Sequence, residues 1–238
     1  MVIDPAAASK VYGLEFEAEF RLSLRQNGRI RERMEALVAH AAHKRVLHIG
    51  CVDHIPLLAA RIQQGNWLHG RLAAVASECV GFDTNADGIE HLRREYRLDN
   101  IYHSDVSRML PLAFGGSWDL AIIGDVLEHV DNPVEFLSGL NSALAGRVEA
   151  ALITVPNAFR AGNWLQSLLG REVINSDHRY WYTPFTLWKV LARAGLKLES
   201  LEFCRYGQYA KIPLKSALLR AFPALADTLL AVARFPDQ

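Results

Sequence analysis

Two apolar runs, each ended by a residue with a special task, limit what this chain can become. Val46-Leu47-His48-Ile49 runs into Gly50-Cys51-Val52-Asp53-His54. Cys79-Val80-Gly81-Phe82 runs into Asp83. A buried strand ends in glycine when the backbone must turn sharply beside another group. A strand, a glycine turn and then an acid at the tip of the next strand is how doubly wound folds hold a ribose.

The rest of the chain repeats that rhythm. Apolar runs at about 100–103, 118–123 and 148–155 read as further strands. Helical spacing falls between them, at about 30–42, 56–64, 67–76, 85–96 and 132–144. Asn85 and the pair Asn132-Pro133 supply start signals, and Gly146 a stop. Alternating strands and helices predict an α/β fold of the Rossmann-like, doubly wound kind. Its sheet should be mostly parallel and seven-stranded, with helices on both faces. After Asn157 the rhythm gives way to an aromatic-rich insertion. A helix over 184–194 and two last strands, at 196–203 and 228–235, should follow.

Composition narrows the class. The 238 residues suffice for one well-cored domain, not two large ones. The expected organisation is a single domain over 1–238. It has an N-terminal helical segment over 1–43 and lid or insertion segments over 157–184 and 207–226. The 26 basic and 26 acidic side chains cancel, which argues against a nucleic-acid partner. Cys51, Cys79 and Cys204 form no CxxC pair, as suits a reducing compartment. Met1 to Lys10 lacks a signal-peptide pattern, and no uninterrupted apolar stretch is long enough for a span. The apolar segment 214–235 is broken by Lys215, Arg220, Pro223, Asp227 and Arg234, so no stable membrane insertion is expected. The chain reads as cytoplasmic. Its oligomeric state stays open, and a homodimer is compatible with it.

Further motifs carry a resemblance. The stretch Asp125-Val126-Leu127-Glu128-His129-Val130-Asp131-Asn132-Pro133 follows the fourth strand. Ile153-Thr154-Val155-Pro156-Asn157 closes the fifth. Asp177-His178-Arg179-Tyr180-Trp181-Tyr182-Thr183-Pro184 follows, then Leu187 and Leu191 to Gly195. In order and spacing, from Lys44 to Phe203, the chain resembles class I S-adenosylmethionine-dependent methyltransferases of the type 11/23-like branch. That resemblance implies S-adenosylmethionine as cofactor and a small-molecule or glycan acceptor, with a tilt toward O-methylation in cell-surface polysaccharide pathways. It departs from the family pattern in the first motif. His48 stands where an acid is usual, and Val52 and His54 replace glycines.

The resemblance also assigns roles. His48, Gly50, Cys51, Asp53, Asp83, Thr84, Asp105, Val106, Gly124 and Asp125 are expected around the cofactor. Asp83 should take the ribose hydroxyls, and Asp105 with Val106 the adenine. Asp53 could substitute for the acid missing at His48. Gly50 and Gly124 should let the cofactor approach the backbone. His178 is the expected general base, since a neutral imidazole can take an alcohol proton near pH 7. Asp177 should orient His178 or bind substrate. Tyr180 and Tyr182 should wall the acceptor pocket, with Trp181 facing the other way. Trp164 and Trp188 should pack the lid and its helix. Glu128 and His129 read as structural, bridging loops under the sheet.

Scattered histidines without HxxxH or paired Cys/His spacing predict no metal. A Mg-dependent arrangement on Asp125, Asp177 and His178 is the weaker alternative. Two other functions compete: a non-catalytic interaction protein on the same fold, motivated by the altered glycine turn, and a nicotinamide-dependent oxidoreductase. The second lacks GxGxxG.

Overall fold

The computed structural model describes residues 5–26, 28–207 and 213–236. Its centre is a sheet of eight strands in the order β1-β7-β8-β6-β5-β2-β3-β4. These are β1 (Arg31–Glu32), β2 (Arg45–Ile49), β3 (Glu78–Asp83), β4 (Ile101–His103), β5 (Trp118–Gly124), β6 (Val148–Pro156), β7 (Lys197–Arg205) and β8 (Thr228–Arg234). Strand β8 runs antiparallel to both β6 and β7, and the remaining pairs are parallel.

The sequence predicts seven strands, and the eighth is β1. It is two half-buried charged residues paired to Cys204 and Arg205. A charged dipeptide carries no apolar run, so nothing in the pattern announces it. It also shortens the helix expected from Ile30, because α2 begins only at Arg33.

The helices are α1 (Pro5–Tyr12), α2 (Arg33–Ala41), α3 (Ile55–Gln63), α4 (Leu68–Ala73), α5 (Ala86–Tyr96), α6 (Pro133–Leu144), α7 (Ala161–Leu168), α8 (Pro184–Arg193) and α9 (Pro213–Ala221). Their starts follow local chemistry. Asn85 accepts from the Gly88 N–H to cap α5, and Asn132 accepts from Glu135 to cap α6. Thr183 and Thr186 form a reciprocal capping box before α8.

The central strands are apolar on both faces. β5 buries Leu120 to Ile123, and β6 buries Ala150 to Pro156. Such runs suit a parallel sheet covered by helices on each side. The three cysteines are free and buried. Among the described residues no helix is long and apolar enough to cross a membrane. The segment 208–212, inside the expected second lid, lies outside the described residues.

Candidate active site

Strand β2 lies between β5 and β3, where the winding of the sheet reverses. Ligands of open parallel sheets bind above the carboxyl ends of the strands at this place. A cleft of about 850 Å³ opens there, toward the upper end of the range for small-molecule sites. The loops after β2, β3, β4 and β5 line it, together with Arg33, Met34, Asn175, His178 and Tyr206.

The loop after β2 and the acid after β3 form one unit. The N–H groups of Gly50 and Cys51 both donate to the Phe82 carbonyl, at 2.8 and 3.2 Å. The Val52 N–H donates to Asp83 Oδ2 at 2.8 Å, and the Asn85 N–H to Oδ1 at 2.9 Å. Burial pushes the Asp83 carboxyl up, and these backbone donors pull it back. With Thr84 a third backbone donor, the carboxylate still keeps lone-pair capacity for a hydroxyl donor.

Val52, which replaces a glycine of the usual pattern, does not obstruct the cleft. A Cβ on Gly88 would meet Val52 Cγ1 at 2.5 Å. The valine is seated in the space that Gly88 leaves open in the first turn of α5. His54 sits at 3.9 Å from the Asp177 carboxylate and edge-on to His129. The altered turn therefore keeps a cradle above β2 and β3, and the residues present fit an adenosine-bearing cofactor.

All ten residues expected at the cofactor line the cleft, but several side chains are committed elsewhere. His48 is buried and stacks on His69, with Nδ1 to Nδ1 at 3.2 Å. Asp53 pairs with Arg61 and accepts the His54 N–H. Asp105 holds its own turn through the N–H and Oγ of Ser107 and pairs with Arg108. Burial drives the Cys51 thiol far above its ordinary range, so it stays protonated.

The two glycines also differ from expectation. Gly50 has φ 79°, and a Cβ there would meet Val126 Cγ2 at 2.5 Å. A Cβ on Gly124 would meet Leu68 Cδ2 at 2.7 Å and Arg33 Nη2 at 3.0 Å. In both cases protein atoms, not open cleft, fill the space the missing Cβ leaves.

Asp125 has the unusual φ of 57° for a non-glycine residue. Its carboxylate anchors a buried network instead of facing a ligand. Oδ1 accepts from Thr154 Oγ1 at 2.8 Å. Oδ2 accepts from Tyr206 Oη at 2.7 Å and pairs with Arg33 Nη2 at 3.0 Å. Arg33 Nε donates to Thr154 Oγ1 at 3.0 Å. The sequence reading missed Arg33 and Tyr206. An arginine opening an amphipathic helix reads as solvated, and Tyr206 lies 81 residues from its partner.

His178 borders the cleft, and Asp177 does not. No hydrogen bond joins the Asp177 carboxylate to His178, whose Nδ1 is buried without a partner among the described residues. Asp177 lies in a turn closed by the His178 N–H on the Asn175 carbonyl, and its carboxylate faces His54, so it does not orient the imidazole. Tyr180 and Tyr182 share a side, with Trp181 directed to Glu172 and Arg160. They do not wall the cleft. Tyr182 Oη donates to the Leu127 carbonyl at 3.0 Å and Tyr180 Oη to the Asp131 carbonyl at 2.6 Å. Both tyrosines brace the loop after β5. Trp188 is buried as expected, whereas Trp164 is 69% exposed.

Of the pair expected to bridge loops, His129 does so through its side chain, and Glu128 does not. Glu128 is fully buried, and neither carboxylate oxygen has a hydrogen-bond partner among the described residues. Burial first, then the Asp125 charge, pushes its pKa up to about 9. His129 Nδ1 lies 3.2 Å from the Asp177 carbonyl. Its ring meets His178 edge-on at 4.7 Å. Burial lowers the pKa of both imidazoles.

A doubly wound sheet with a strand-tip carboxylate beside a glycine turn defines a nucleotide-cofactor enzyme of the Rossmann-like class. A family model described as a methyltransferase domain matches residues 22–201. The chain belongs to this family, and is a class I S-adenosylmethionine-dependent methyltransferase with S-adenosylmethionine as its cofactor.

Solved structures agree on the fold. Magnesium protoporphyrin IX methyltransferase from Synechocystis PCC 6803, with bound SAH, is similar at TM-score 0.51 and 14% identity. The match covers 85% of this chain and 82% of that one. A putative S-adenosylmethionine-dependent methyltransferase from Listeria monocytogenes gives TM-score 0.52 and 10% identity, over 86% and 95%. The small RNA methyltransferase HEN1 gives TM-score 0.57 and 14% identity, over 92% of this chain but 28% of that chain. No curated protein matches in sequence. The absence of a nucleic-acid partner expected from zero net charge is not supported by these comparisons.

Proposed function

We propose that this methyltransferase acts on oxygen, methylating a hydroxyl of a small sugar, glycan or other hydroxylated metabolite of the kind found in cell-surface polysaccharide pathways. The observation that carries this reading is His178, which borders the cleft with a buried ring nitrogen that has no hydrogen-bond partner among the described residues. S-adenosylmethionine, when bound, supplies an activated methyl on a sulfonium sulfur. The protein must then place the acceptor in line and take up its proton.

The roles divide along the cleft. Asp83 accepts the ribose hydroxyls through its remaining lone pairs, with Thr84 beside it. Backbone groups of the loop from Gly50 to Asp53 shape the methionine end. Asp105 holds the turn that brings Val106 to the base. Asp125 holds the floor through Arg33, Thr154 and Tyr206. The imidazole of His178 would take the hydroxyl proton as the acceptor oxygen bonds to the methyl that S-adenosylmethionine would supply, the former C–S electron pair remaining with the sulfur. The segment 157–184 is the lid, and it contributes Asn175 and His178. Exposed Trp164 and Phe159 on that segment offer aromatic faces that suit sugar rings.

The test is transfer of isotopically labelled methyl to a panel of hydroxylated and amino acceptors, with the labelled atom located by NMR. Label on oxygen, and a loss of about a hundredfold or more in turnover for His178→Gln, supports the reading. Label on nitrogen or carbon, or unchanged turnover in that variant, overturns it.

A further inference from the structure

We infer that Glu128, His129 and His178 form a binding site for a divalent first-row transition cation, placed to carry the acceptor's oxygen. One donor atom from each residue lies within 4.8 Å of the others. This spacing surrounds a point that one ion could bond from all three. Two imidazoles and one carboxylate are a donor set for zinc and its neighbours, with positions left open for another ligand.

A second observation points to the same place. Glu128 is a fully buried carboxylic acid with no hydrogen-bond partner on either oxygen among the described residues. Buried polar groups are nearly always satisfied, and leaving one unpaired is costly. The nearby cation does not satisfy it, because Arg33 is directed to Asp125 and Thr154. A bound cation would satisfy both oxygens' side of the site at once.

The surroundings prepare the imidazoles as ligands. His129 Nδ1–H donates to the Asp177 backbone carbonyl at 3.2 Å. The lone pair is therefore left on Nε2, as in metal sites where a second partner fixes the tautomer. His178 keeps a buried nitrogen, Nδ1, with no hydrogen-bond partner among the described residues. Tyr182 and Tyr180 pin the backbone of the loop carrying Glu128 and His129, through the carbonyls of Leu127 and Asp131. The Arg179 N–H donates to the Glu128 carbonyl at 2.7 Å and ties the His178 segment to that loop. Asp125, adjacent in the same motif, contributes no ligand, since its carboxylate is consumed by the network described above.

The spacing in sequence hides this site. Glu128 and His129 are neighbours, and the third donor arrives from the other side of two helices and a strand. A motif search for HxxxH or paired cysteines passes over it. The inference rests on the proposed methyl transfer and refines it. The His178 lone pair that would take the proton holds the ion instead, and the ion makes the bound acceptor hydroxyl acidic enough to release its proton to water before the methyl is transferred.

The experiment is a titration of tag-free, chelator-stripped full-length protein with Co²⁺, read by visible absorption and calorimetry, followed by Zn²⁺ competition. One ion per chain is expected, with a spectrum of nitrogen and oxygen ligation. Glu128→Gln, which keeps the side chain's shape, and His178→Ala, at the cleft wall, should each weaken binding at least tenfold with an unchanged circular dichroism spectrum. No Co²⁺ binding, or equal binding in both variants, overturns the inference. Methyl transfer is assayed in parallel with chelator present. Unimpaired transfer with chelator overturns the cation's role and leaves His178 as the base. Bound Co²⁺ with no label on oxygen overturns the O-methylation reading and leaves the cation site standing.

Discussion

Val52 donates its backbone N–H to the carboxylate of Asp83 at 2.8 Å. This bond joins the turn after β2 to the tip of β3, so the altered glycine loop and the strand-end acid cannot serve separate sites. It makes the cradle a property of two strands, stable before any ligand arrives.

Gly50 tests how tightly that turn is built. It combines φ 79° with the near contact that a Cβ would make to Val126. Gly50→Ala should destabilise the protein by about 1–3 kcal/mol, through left-handed strain and overpacking together. Adding Val126→Ala should relieve the overpacking part and leave the backbone part. Urea denaturation of the three variants measures both. A neutral Gly50→Ala would show that the turn relaxes freely.

Arg33 tests the floor of the cleft. It is buried, and its loss would leave Asp125 and Thr154 without their charged partner. Arg33→Leu should cost about 3 kcal/mol, as breaking one side of a buried ion pair does. The double variant Arg33→Leu with Asp125→Leu should recover part of that loss. Strict additivity of the two single changes would show that the pair is not coupled.

The buried His48–His69 pair gives a pH signature. Burial holds His69 down to about 4, and burial, His69 and Arg33 hold His48 well below its ordinary value. Below pH 6.5 the unfolded chain takes up protons that the folded pair refuses. Stability supplied by each neutral histidine is thus lost as pH falls from 6.5 toward the folded value, by about 1.4 kcal/mol per pH unit. Glu128, neutral up to about 9, contributes a slope of the opposite sign between 4.5 and 9. The readout is therefore the difference between wild type and His69→Gln, measured by chemical denaturation between pH 6.5 and 5. The variant should lack about one proton's slope. Parallel curves would place the His69 proton uptake outside this window.

Much of the fold is legible in the sequence because its signals are local. Apolar runs end at Gly50, Asp83 and Gly124, and Asn85 and Asn132 cap the helices that follow. The lining of the cleft is legible for the same reason, since strand tips in this topology converge on one edge. What escaped was everything made by distant residues meeting. Strand β1 exists only because β7 offers an edge to two charged residues. Tyr180 and Tyr182 read as pocket walls because aromatic side chains and loop position carry no record of which carbonyl their hydroxyls reach. Glu128 reads as a bridging acid until its burial without a partner is seen.

The central claim is that the loop beginning at Gly50 and the carboxylate of Asp83 hold one adenosine-bearing molecule. Isothermal titration with S-adenosylhomocysteine tests it most directly, on wild type and on Asp83→Ala, with thermal melting to confirm that the variant folds. Binding by the wild type and a loss of about a hundredfold or more in the variant is the predicted result, from two charged hydrogen bonds of roughly 1.5–3 kcal/mol each. Equal affinity in a folded variant, or no binding to the wild type at millimolar ligand, would contradict it.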